Sequence, residues 1–312
     1  MSNKTINVLM SRLRMKQLQL LIALDDHKSM HKAASALSMS QSAASKVLHE
    51  LEDMFDAQLF ERSKTGMLPN QFGHVVIRHA RLLTADLGNL CQDIADIRSG
   101  KGGRLAIGCI MGAVPDVVVP ILNWLHTRQP NLAIDVVEDT SLRMLSLLDD
   151  GHLDLVIGRA SVAEESGKYL YQPLRDEPVS VVVGYGHPPV GEAPMSLRDL
   201  KDHRWLVYPA HMPMHALLER EMDMAGLGMP SNQISTASTF VTIAILERST
   251  DIVALLPTDV ADFFARYQIV RILPIELAAQ YQTFGIVTRK GGALSPAADQ
   301  FIGLLRDRNM VH

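Results

Sequence analysis

The tightest constraint on this chain is the short connection between two amphipathic segments near its N-terminus. Residues 29–37 and 41–55 both place apolar side chains at helical spacing, and only residues 38–40 lie between them. Two helices joined so closely must cross steeply, and a pair of alanines in each segment allows close approach. With a further amphipathic segment over residues 15–25, the pattern predicts a helix-turn-helix, in which Ser29 and Ser40 cap the second and third helices.

The outward face of the third predicted helix carries short polar groups suited to a DNA groove. Its N-terminal half offers hydrogen-bond donors and acceptors for base edges and phosphates, while the acidic residues 50–56 would repel phosphates. The free N–H groups of the helix start also favour the DNA backbone. The groups expected to point outward are Gln41, Ser42, Ser45, Lys46 and His49. A solvated polar face on a small bundle is the alternative interpretation.

The segment that follows predicts a wing. LFERSKTGMLPN at 59–70 has the pattern of a strand, a turn at Gly66 and a second strand that ends at Pro69. Arg62 and Lys64 place positive charge near its tip. A charged hairpin after a recognition helix is typical of a winged helix, whose wing reaches the flanking backbone or minor groove.

Residues 15–73 resemble the DNA-binding domain of the LysR-type transcriptional regulators. The motifs are LxxL in the first helix, S-x-x-x-A-A-x-x-L at 29–37, S-Q-x-A-x-S at 40–45, L-E-x-x at 51–54 and LFxR at 59–62. The chain departs from the family twice, with Ser42 in place of a common proline and Asn70 within Pro-Asn-x-x-Gly in place of threonine. The resemblance implies that the main DNA contacts are Ser40, Gln41, Ser42, Ser45 and Lys46, supported by His31, Lys32 and Arg62.

A long helix is predicted over residues 71–98, which contain no proline. Its apolar residues follow steps of four and three, typical of a coiled-coil seam, although packing on an ordinary core is the alternative. The predicted seam consists of Val76, Ala80, Leu83, Leu87, Leu90, Ile94 and Ile97. We therefore expect a homodimer, which suits a palindromic DNA site, and the family resemblance implies a homotetramer. The glycine-rich residues 99–104 are a predicted hinge; they lack the surrounding residues of a phosphate-binding loop.

Strands and helices alternate from residue 105 to 312. Continuous β-branched runs separated by amphipathic helices predict parallel strands covered on both faces. The pattern resembles the two-lobed, periplasmic-binding-protein-like effector domain of the same family. The first lobe is expected at about 105–173 and 271–312, and the second at about 174–270. The predicted fold class is therefore α+β and multidomain: a winged helix-turn-helix over 1–70, a dimerisation helix, a hinge and a two-lobed α/β domain.

Ligands of open α/β sheets bind beyond the carboxyl ends of the strands. Hydroxyl groups, helix starts and one arginine at these positions favour a small anionic or polar effector, such as a carboxylate or sugar derivative. Helix capping or fold maintenance is the alternative role for each residue. The residues this rule selects are Ile110, Met111, Gly112, Thr140, Ser141, Arg159, His211, Ser238 and Thr239.

The segment HMPMH at 211–215 suggests a second kind of ligand. His211 and His215, with the neighbouring methionines, have the side chains of a soft-metal site, so a metal-responsive regulator is an alternative. The two cysteines, Cys91 and Cys109, form no metal or redox motif, and no cofactor is expected.

Net charge, targeting signals and catalytic motifs limit which functions the chain can have. Its net charge is −4, but the first hundred residues hold 12 Lys and Arg against 10 Asp and Glu, so a mildly basic front precedes an acidic body. We expect no export signal and no membrane span, hence a cytoplasmic protein. No catalytic motif is present, so an enzyme is not expected. The resulting hypothesis is a regulator of transcription that binds double-stranded DNA and a small-molecule effector and contacts RNA polymerase; a solute-binding protein is the alternative.

Overall fold

The computed structural model describes residues 9–63, 66–98, 102–163, 166–188, 195–278 and 282–307. The side chains of residues 92, 93, 96, 97 and 282 also lie outside the described part. The predicted wing cation Lys64 and the side chain of the predicted seam residue Ile97 therefore fall outside the described residues. The chain divides into two compact units, one of residues 1–101 with 146–152 and the other of residues 102–145 with 153–312.

Three short helices open the first unit, as predicted: α1 (Met15–His27), α2 (Met30–Ala36) and α3 (Gln41–Phe55). The hydroxyl of Ser29 accepts a hydrogen bond from the Lys32 N–H, and that of Ser40 accepts one from the Ala43 N–H, which confirms both predicted N-caps. The turn between α2 and α3 contains Ser38 at a positive φ of 53°.

The core of this unit is aliphatic and includes the small residues at the helix crossing. Ala33, Ala34 and Ala44 are fully buried or nearly so, which permits the close approach expected from the sequence. Ala43 is exposed, so only one alanine of the second pair contributes to the crossing. The leucines of the helices, among them Leu20, Leu21, Leu24 and Leu51, fill the remaining core.

The wing is an antiparallel hairpin of β1 (Phe60–Ser63) and β2 (Gly66–Pro69), paired from Phe60 with Pro69 to Ser63 with Gly66. Gly66 adopts a φ of +123°, and a Cβ at this position would lie 2.3 Å from the carbonyl oxygen of Lys28. The same carbonyl accepts a hydrogen bond from the Met67 N–H at 2.9 Å. Glycine is thus required where the wing packs on the turn between α1 and α2.

The helix α4 (Gln71–Arg98) has the predicted bounds. The side chain of Asn70 accepts hydrogen bonds from the N–H groups of Phe72 and Gly73, both at 3.0 Å. Asn70 therefore caps α4, which gives a physical reason why asparagine can stand where the family commonly has threonine. A Cβ on Gly73 would lie 2.1 Å from the carbonyl oxygen of Leu59, so the motif glycine is a packing requirement.

The first turns of α4 belong to the core of the first unit. Ala80 is fully buried in that core and Val76 packs against it, so their assignment to the intermolecular seam is wrong. Apolar side chains become exposed farther along α4, because the helix extends beyond the core there. The exposed fractions are 47% for Leu83, 43% for Leu87, 52% for Leu90 and 44% for Ile94.

One sheet of the second unit has the order β4-β3-β5-β12-β6. Its strands β3 (Arg104–Cys109), β4 (Ala133–Glu138) and β5 (Leu155–Gly158) are mutually parallel. The strands β12 (Gln282–Arg289) and β6 (Tyr169–Glu177) pair antiparallel, and β12 is also antiparallel to β5. The sheet is therefore mixed, so the prediction of parallel strands holds for β3, β4 and β5 but not for β12 and β6.

The other sheet has the order β11-β7-β10-β8-β9. Its strands β8 (Arg204–Val207), β9 (Gln233–Ser235) and β10 (Ile252–Pro257) run parallel, whereas β7 (Val179–Gly184) is antiparallel to β10 and to β11 (Val270–Ile272). Because β11 pairs with β7, the assignment of residues 271 and 272 to the first lobe is wrong. Likewise, β6 extends the first lobe to Glu177 rather than to residue 173.

Helices follow the strands and cover the sheets. A 3₁₀ turn (Met111–Ala113) and a π-helical turn (Val114–Val118) lead into α5 (Val119–Arg128). The remaining helices are α6 (Ser141–Asp149), α7 (Pro213–Met224), α8 (Thr239–Glu247), α9 (Thr258–Arg266) and α10 (Pro296–Arg306). The described helices include none that is both long and apolar enough to cross a bilayer.

Candidate nucleic-acid interface and ligand cleft

The exposed face of α3 carries the side chains that the sequence predicted. Its stripe of Ala44, Leu48 and Leu51 is buried, which leaves the opposite face open. The residues exposed on that face are Gln41, Ser42, Ser45, Lys46 and His49. The first turn of α3 contains no acidic residue, so its free N–H groups and partial positive charge are available to an anion.

Two serines at the start of α3 interact with each other. The Oγ atoms of Ser40 and Ser42 lie 3.0 Å apart, and Ser40 also accepts the capping bond from Ala43. Ser40 therefore has a structural role at the helix start in addition to any contact with DNA. Ser42, which replaces the common proline, gains a hydrogen bond that proline cannot make.

The supporting residues proposed from the resemblance are also exposed. His31 and Lys32 lie in the first turn of α2, and Arg62 lies on β1.

The acidic residues at the end of α3 have different roles. Glu50, Asp53 and Asp56 are exposed, as expected of a surface that phosphates would avoid.

Glu52 differs from these three carboxylates. It is half-buried and accepts a hydrogen bond from the Leu59 N–H at 2.8 Å, which holds the chain before β1. His49 Nδ1 lies 3.8 Å from the other oxygen of Glu52. Glu52 is thus part of the wing attachment rather than of a surface that repels DNA.

A cavity of about 610 Å³ lies in the second unit, between the two sheets. It contains all but one of the predicted effector residues: Ile110, Met111, Thr140, Ser141, Arg159, His211, Ser238 and Thr239. The exception, Gly112, is buried, and a Cβ there would lie 1.9 Å from Oε1 of Glu177, a lining residue. The carboxyl ends of β3, β4 and β5 meet at this cavity, in agreement with the rule for open α/β sheets.

The most deeply buried charges of the cavity form an ion pair. The guanidinium of Arg159, just after β5, donates to Glu177 at the end of β6, and their side chains are 10% and 7% exposed. The Arg159 backbone N–H donates to Ser141 Oγ at 3.1 Å. The Nε atom of Arg159 is buried and has no hydrogen-bond partner among the described residues.

Three carboxylates in the lining were not identified from the sequence: Glu138, Asp139 and Glu177. Glu138 ends β4 and Asp139 directly follows it, so the rule that selected Thr140 could have included them. Glu177 ends a strand whose exposed middle gives no clear alternation. Together they outnumber Arg159, the only arginine or lysine among the described lining residues. The charge of this cleft therefore does not support an anionic ligand, one of the classes that the sequence favoured.

The apolar part of the lining comes mainly from methionines and one aromatic ring. Met111, Met212 and Met214 contribute thioethers, and Phe240 is 80% exposed at the start of α8. Thr239 Oγ1 lies 2.9 Å from the sulfur of Met111 and 3.4 Å from Oε1 of Glu138. A second cavity of about 490 Å³ shares Arg159, Val162, His211, Met212 and Pro213 with the first and adds Ser161, Ala210, Ala216 and Thr283.

The two histidines of the metal alternative differ in their surroundings. His215 donates from Nδ1 to the carbonyl oxygen of Tyr208 at 2.7 Å, whereas His211 is exposed at the cleft. Within the described ranges, no three His, Cys, Asp or Glu side chains are grouped so that they could hold a metal ion. The geometry of these histidines thus gives no support to the metal-responsive alternative.

The cysteines also differ. Burial, with a smaller contribution from the nearby carboxylate of Glu138, raises the pKa of the Cys109 thiol to about 12. Cys109 is therefore a protonated, apolar core residue at neutral pH. Cys91 is exposed on α4.

Comparison with known proteins identifies both parts of the chain. The family model of the LysR substrate binding domain matches residues 98–310, and that of the bacterial regulatory helix-turn-helix protein, lysR family, matches residues 15–74. The HTH-type transcriptional regulator GbpR of Azospirillum brasilense is 31% identical over 299 residues, which cover 96% of this chain and 87% of that protein. The DNA-binding transcriptional dual regulator OxyR of Escherichia coli (strain K12) is 25% identical, with 96% and 97% covered.

Solved structures share the fold. The crystal structure of CbnR, a LysR family transcriptional regulator, matches with a TM-score of 0.61 at 17% identity and covers 94% of this chain and 98% of its own. Full-length CbnR complexed with its target DNA matches with a TM-score of 0.57 over the same shares, also at 17% identity. At these identities the similarity demonstrates the architecture alone.

Proposed function

Because the chain belongs to the LysR family of bacterial transcriptional regulators, we propose that it binds its operator through the exposed face of α3. The family is one of DNA-binding regulators with an effector domain rather than of enzymes. The observation that carries the proposal is the exposed polar N-terminal half of α3 on a helix start free of acidic residues. A buried stripe on the opposite side fixes which face is presented.

The side chains of this face divide into two roles. Gln41 and Ser45 are of the length and type that read base edges in the major groove, whereas Lys46 and Arg62 neutralise phosphates. Ser42, Lys32 and His31 add hydrogen bonds or charge at the margin. Ser40 acts mainly by capping α3, which keeps the N–H groups at the helix start directed at the DNA backbone.

The exposed apolar stretch of α4 is proposed as the dimerisation seam. Leu83, Leu87, Leu90 and Ile94 follow one helix face and are each about half exposed in the single chain. An apolar stripe of this length needs a partner. A dimer with a second copy of this chain would present two DNA-binding domains to a palindromic site. We also propose that two dimers pair into a tetramer, that the protein contacts RNA polymerase and that it acts in the cytoplasm.

The cleft between the two sheets is proposed as the effector site. A small molecule held there would contact residues of both sheets and favour one arrangement of the lobes over another. It can change DNA binding only by the difference in its affinity for these arrangements.

A gel shift with the full-length protein tests the DNA-binding face. DNA fragments selected from a random pool by the wild-type protein provide the probe, and related sequences measure specificity. Lys46→Ala should weaken binding to every sequence and reduce the salt dependence, whereas Gln41→Ala should also blur the choice among sequences. Lys201→Ala, an exposed cation in the second unit, is the matched control. If Lys46→Ala and Gln41→Ala lost the same affinity for every sequence, or lost none, the assignment of α3 would be contradicted.

A further inference from the structure

We infer that the cleft takes an uncharged, hydroxyl-rich ligand such as a monosaccharide, and that the buried pair of Arg159 and Glu177 reads its hydroxyl groups. This inference rests on the proposed role of the cleft as an effector site and names the class of ligand. It selects an uncharged sugar from the anionic or polar ligands that the sequence favours.

The charge of the lining disfavours an anion. Glu138, Asp139 and Glu177 all line the cavity, and of the described lining residues Arg159 alone is an arginine or lysine. Because Arg159 is paired with Glu177, a ligand carboxylate would face the two further carboxylates of Glu138 and Asp139. Like-charge juxtaposition is unfavourable, so such a ligand would bind more weakly than its uncharged counterpart.

Arg159 is not free to compensate for these charges. Its guanidinium already contacts Glu177, and both side chains are at least nine-tenths buried. An incoming anion that captured Arg159 would leave Glu177 buried without its partner, which costs more than the new pair returns. Gly112 maintains this arrangement, because a Cβ there would overlap Glu177 Oε1.

The polar groups of the cleft require a ligand that both donates and accepts. The buried Nε of Arg159 lacks an acceptor among the described residues. The carboxylates of Glu138 and Asp139 are exposed and accept only. A hydroxyl group satisfies both kinds of partner, since it donates one hydrogen bond and accepts others. A ligand cation would serve the carboxylates but offers no acceptor to Arg159.

The apolar surface of the cleft suits the C–H faces of a sugar ring. Met111, Met212 and Met214 present thioethers, and the exposed ring of Phe240 lies at the same cavity. A volume of about 610 Å³ exceeds that of one sugar ring and leaves room for bridging water. Polar groups that set orientation beside an apolar wall are the usual construction of a ligand site.

Matched sugars that differ only in charge test this inference on the full-length protein. The probes are glucose and galactose and their uronates, with benzoate and succinate as simple carboxylates. Thermal stability and titration calorimetry measure binding. At least one neutral hexose should raise the melting temperature, and its uronate should bind at least about tenfold more weakly.

Variants of the lining separate charge from shape. Glu138→Gln combined with Asp139→Asn should improve uronate binding by about tenfold or more, because the repelling charges are removed. Glu177→Gln should weaken binding of the neutral hexose by about tenfold or more. Asp262→Asn combined with Glu276→Gln, which removes two exposed charges of the same unit outside the cleft, should leave both affinities unchanged.

The outcomes distinguish this inference from the proposed function. If carboxylates bind and neutral hexoses do not, the cleft remains an effector site and only the inference fails. If no probe of any charge binds up to millimolar concentration, while the gel shift succeeds, the hexose inference and the cleft role fall together and the DNA-binding role stands. If Glu177→Gln binds the hexose as the wild type does, the reading role of the buried pair is overturned.

Discussion

Arg81 of α4 binds Asp25 and Asp26 at the end of α1. Its Nη2 atom lies 3.0 Å from Oδ2 of Asp25 and 2.5 Å from Oδ1 of Asp26. Lys28 also donates to Asp25, at 2.5 Å. These bonds fasten the first turns of α4 to the helix-turn-helix, so that the DNA-reading helices and the start of the proposed dimerisation helix form one body.

Removal of these bonds should destabilise the helix-turn-helix to a degree that depends on pH. Burial acts to raise the pKa of Asp25, but hydrogen bonds from Lys28 and Arg81 outweigh it and hold the pKa below its ordinary value. A lowered carboxylate pKa stabilises the fold above the unfolded pKa of about 4, and this stability is lost as the pH falls through the folded value. Arg81→Met should therefore cost about 1 kcal/mol at pH 7 and less below pH of about 4.

Hydrogen exchange of the α1 amides at the two pH values measures this cost. Lys16→Met, an exposed cation of the same helix, is the control and should leave exchange unchanged. A penalty that does not decrease on acidification would show that the connection is not electrostatic.

Ser42→Pro should be tolerated. Ser42 is the second residue of α3, where the backbone N–H has no partner within the helix and proline fits. The variant loses the bond between Ser40 and Ser42 but gains rigidity in the unfolded chain, so the change in stability should stay within about 1 kcal/mol. Ser40→Ala, which removes the cap itself, should cost about 1 kcal/mol by thermal melting. If the proline variant were the less stable of the two, the capping geometry would be wrong.

Leu87→Asp should convert the dimer to a monomer, because a charge would enter the centre of the exposed apolar stripe of α4. Light scattering on the full-length protein measures the mass. Asn89→Asp adds the same charge two residues away, off the stripe, and should leave the dimer intact. An unchanged mass for Leu87→Asp would refute the seam.

Cys109 should be inert to thiol reagents in the native protein. Its thiol is fully buried, and its pKa of about 12 leaves essentially no thiolate at neutral pH. In Cys91→Ser, a colorimetric thiol reagent should report no reactive group until guanidinium unfolds the chain, and then one per chain. Rapid labelling of that native variant would show that β3 opens readily.

Gly112→Ala should destabilise the second unit by about 1–3 kcal/mol, because the added methyl group overlaps the carboxylate of Glu177. Gly167→Ala is the matched control, since a Cβ there would have no atom within 4 Å. Differential scanning calorimetry compares the two. Equal melting temperatures would mean that Glu177 moves aside without cost.

The sequence by itself determined what depends on neighbours along the chain. The caps at Ser29 and Ser40 and the bounds of α4 follow from local hydrogen bonds, helix periodicity and the positions of proline and glycine. The places where strands end also followed, which is why most of the predicted effector residues lie in one cavity.

Tertiary structure decided which surface each pattern faces. Ala80 fits a heptad as well as Leu87 does, but the core of the first unit covers Ala80 and leaves Leu87 exposed. The residues of β11 could have joined either sheet, and only pairing with β7 assigns them to the second. Arg159 appeared in the sequence as a lone cation, because the carboxylate that neutralises it is brought close by the arrangement of β5 and β6 on either side of β12. Side-chain periodicity records that a face is apolar or charged, whereas the partner of that face is set by packing between segments distant in sequence.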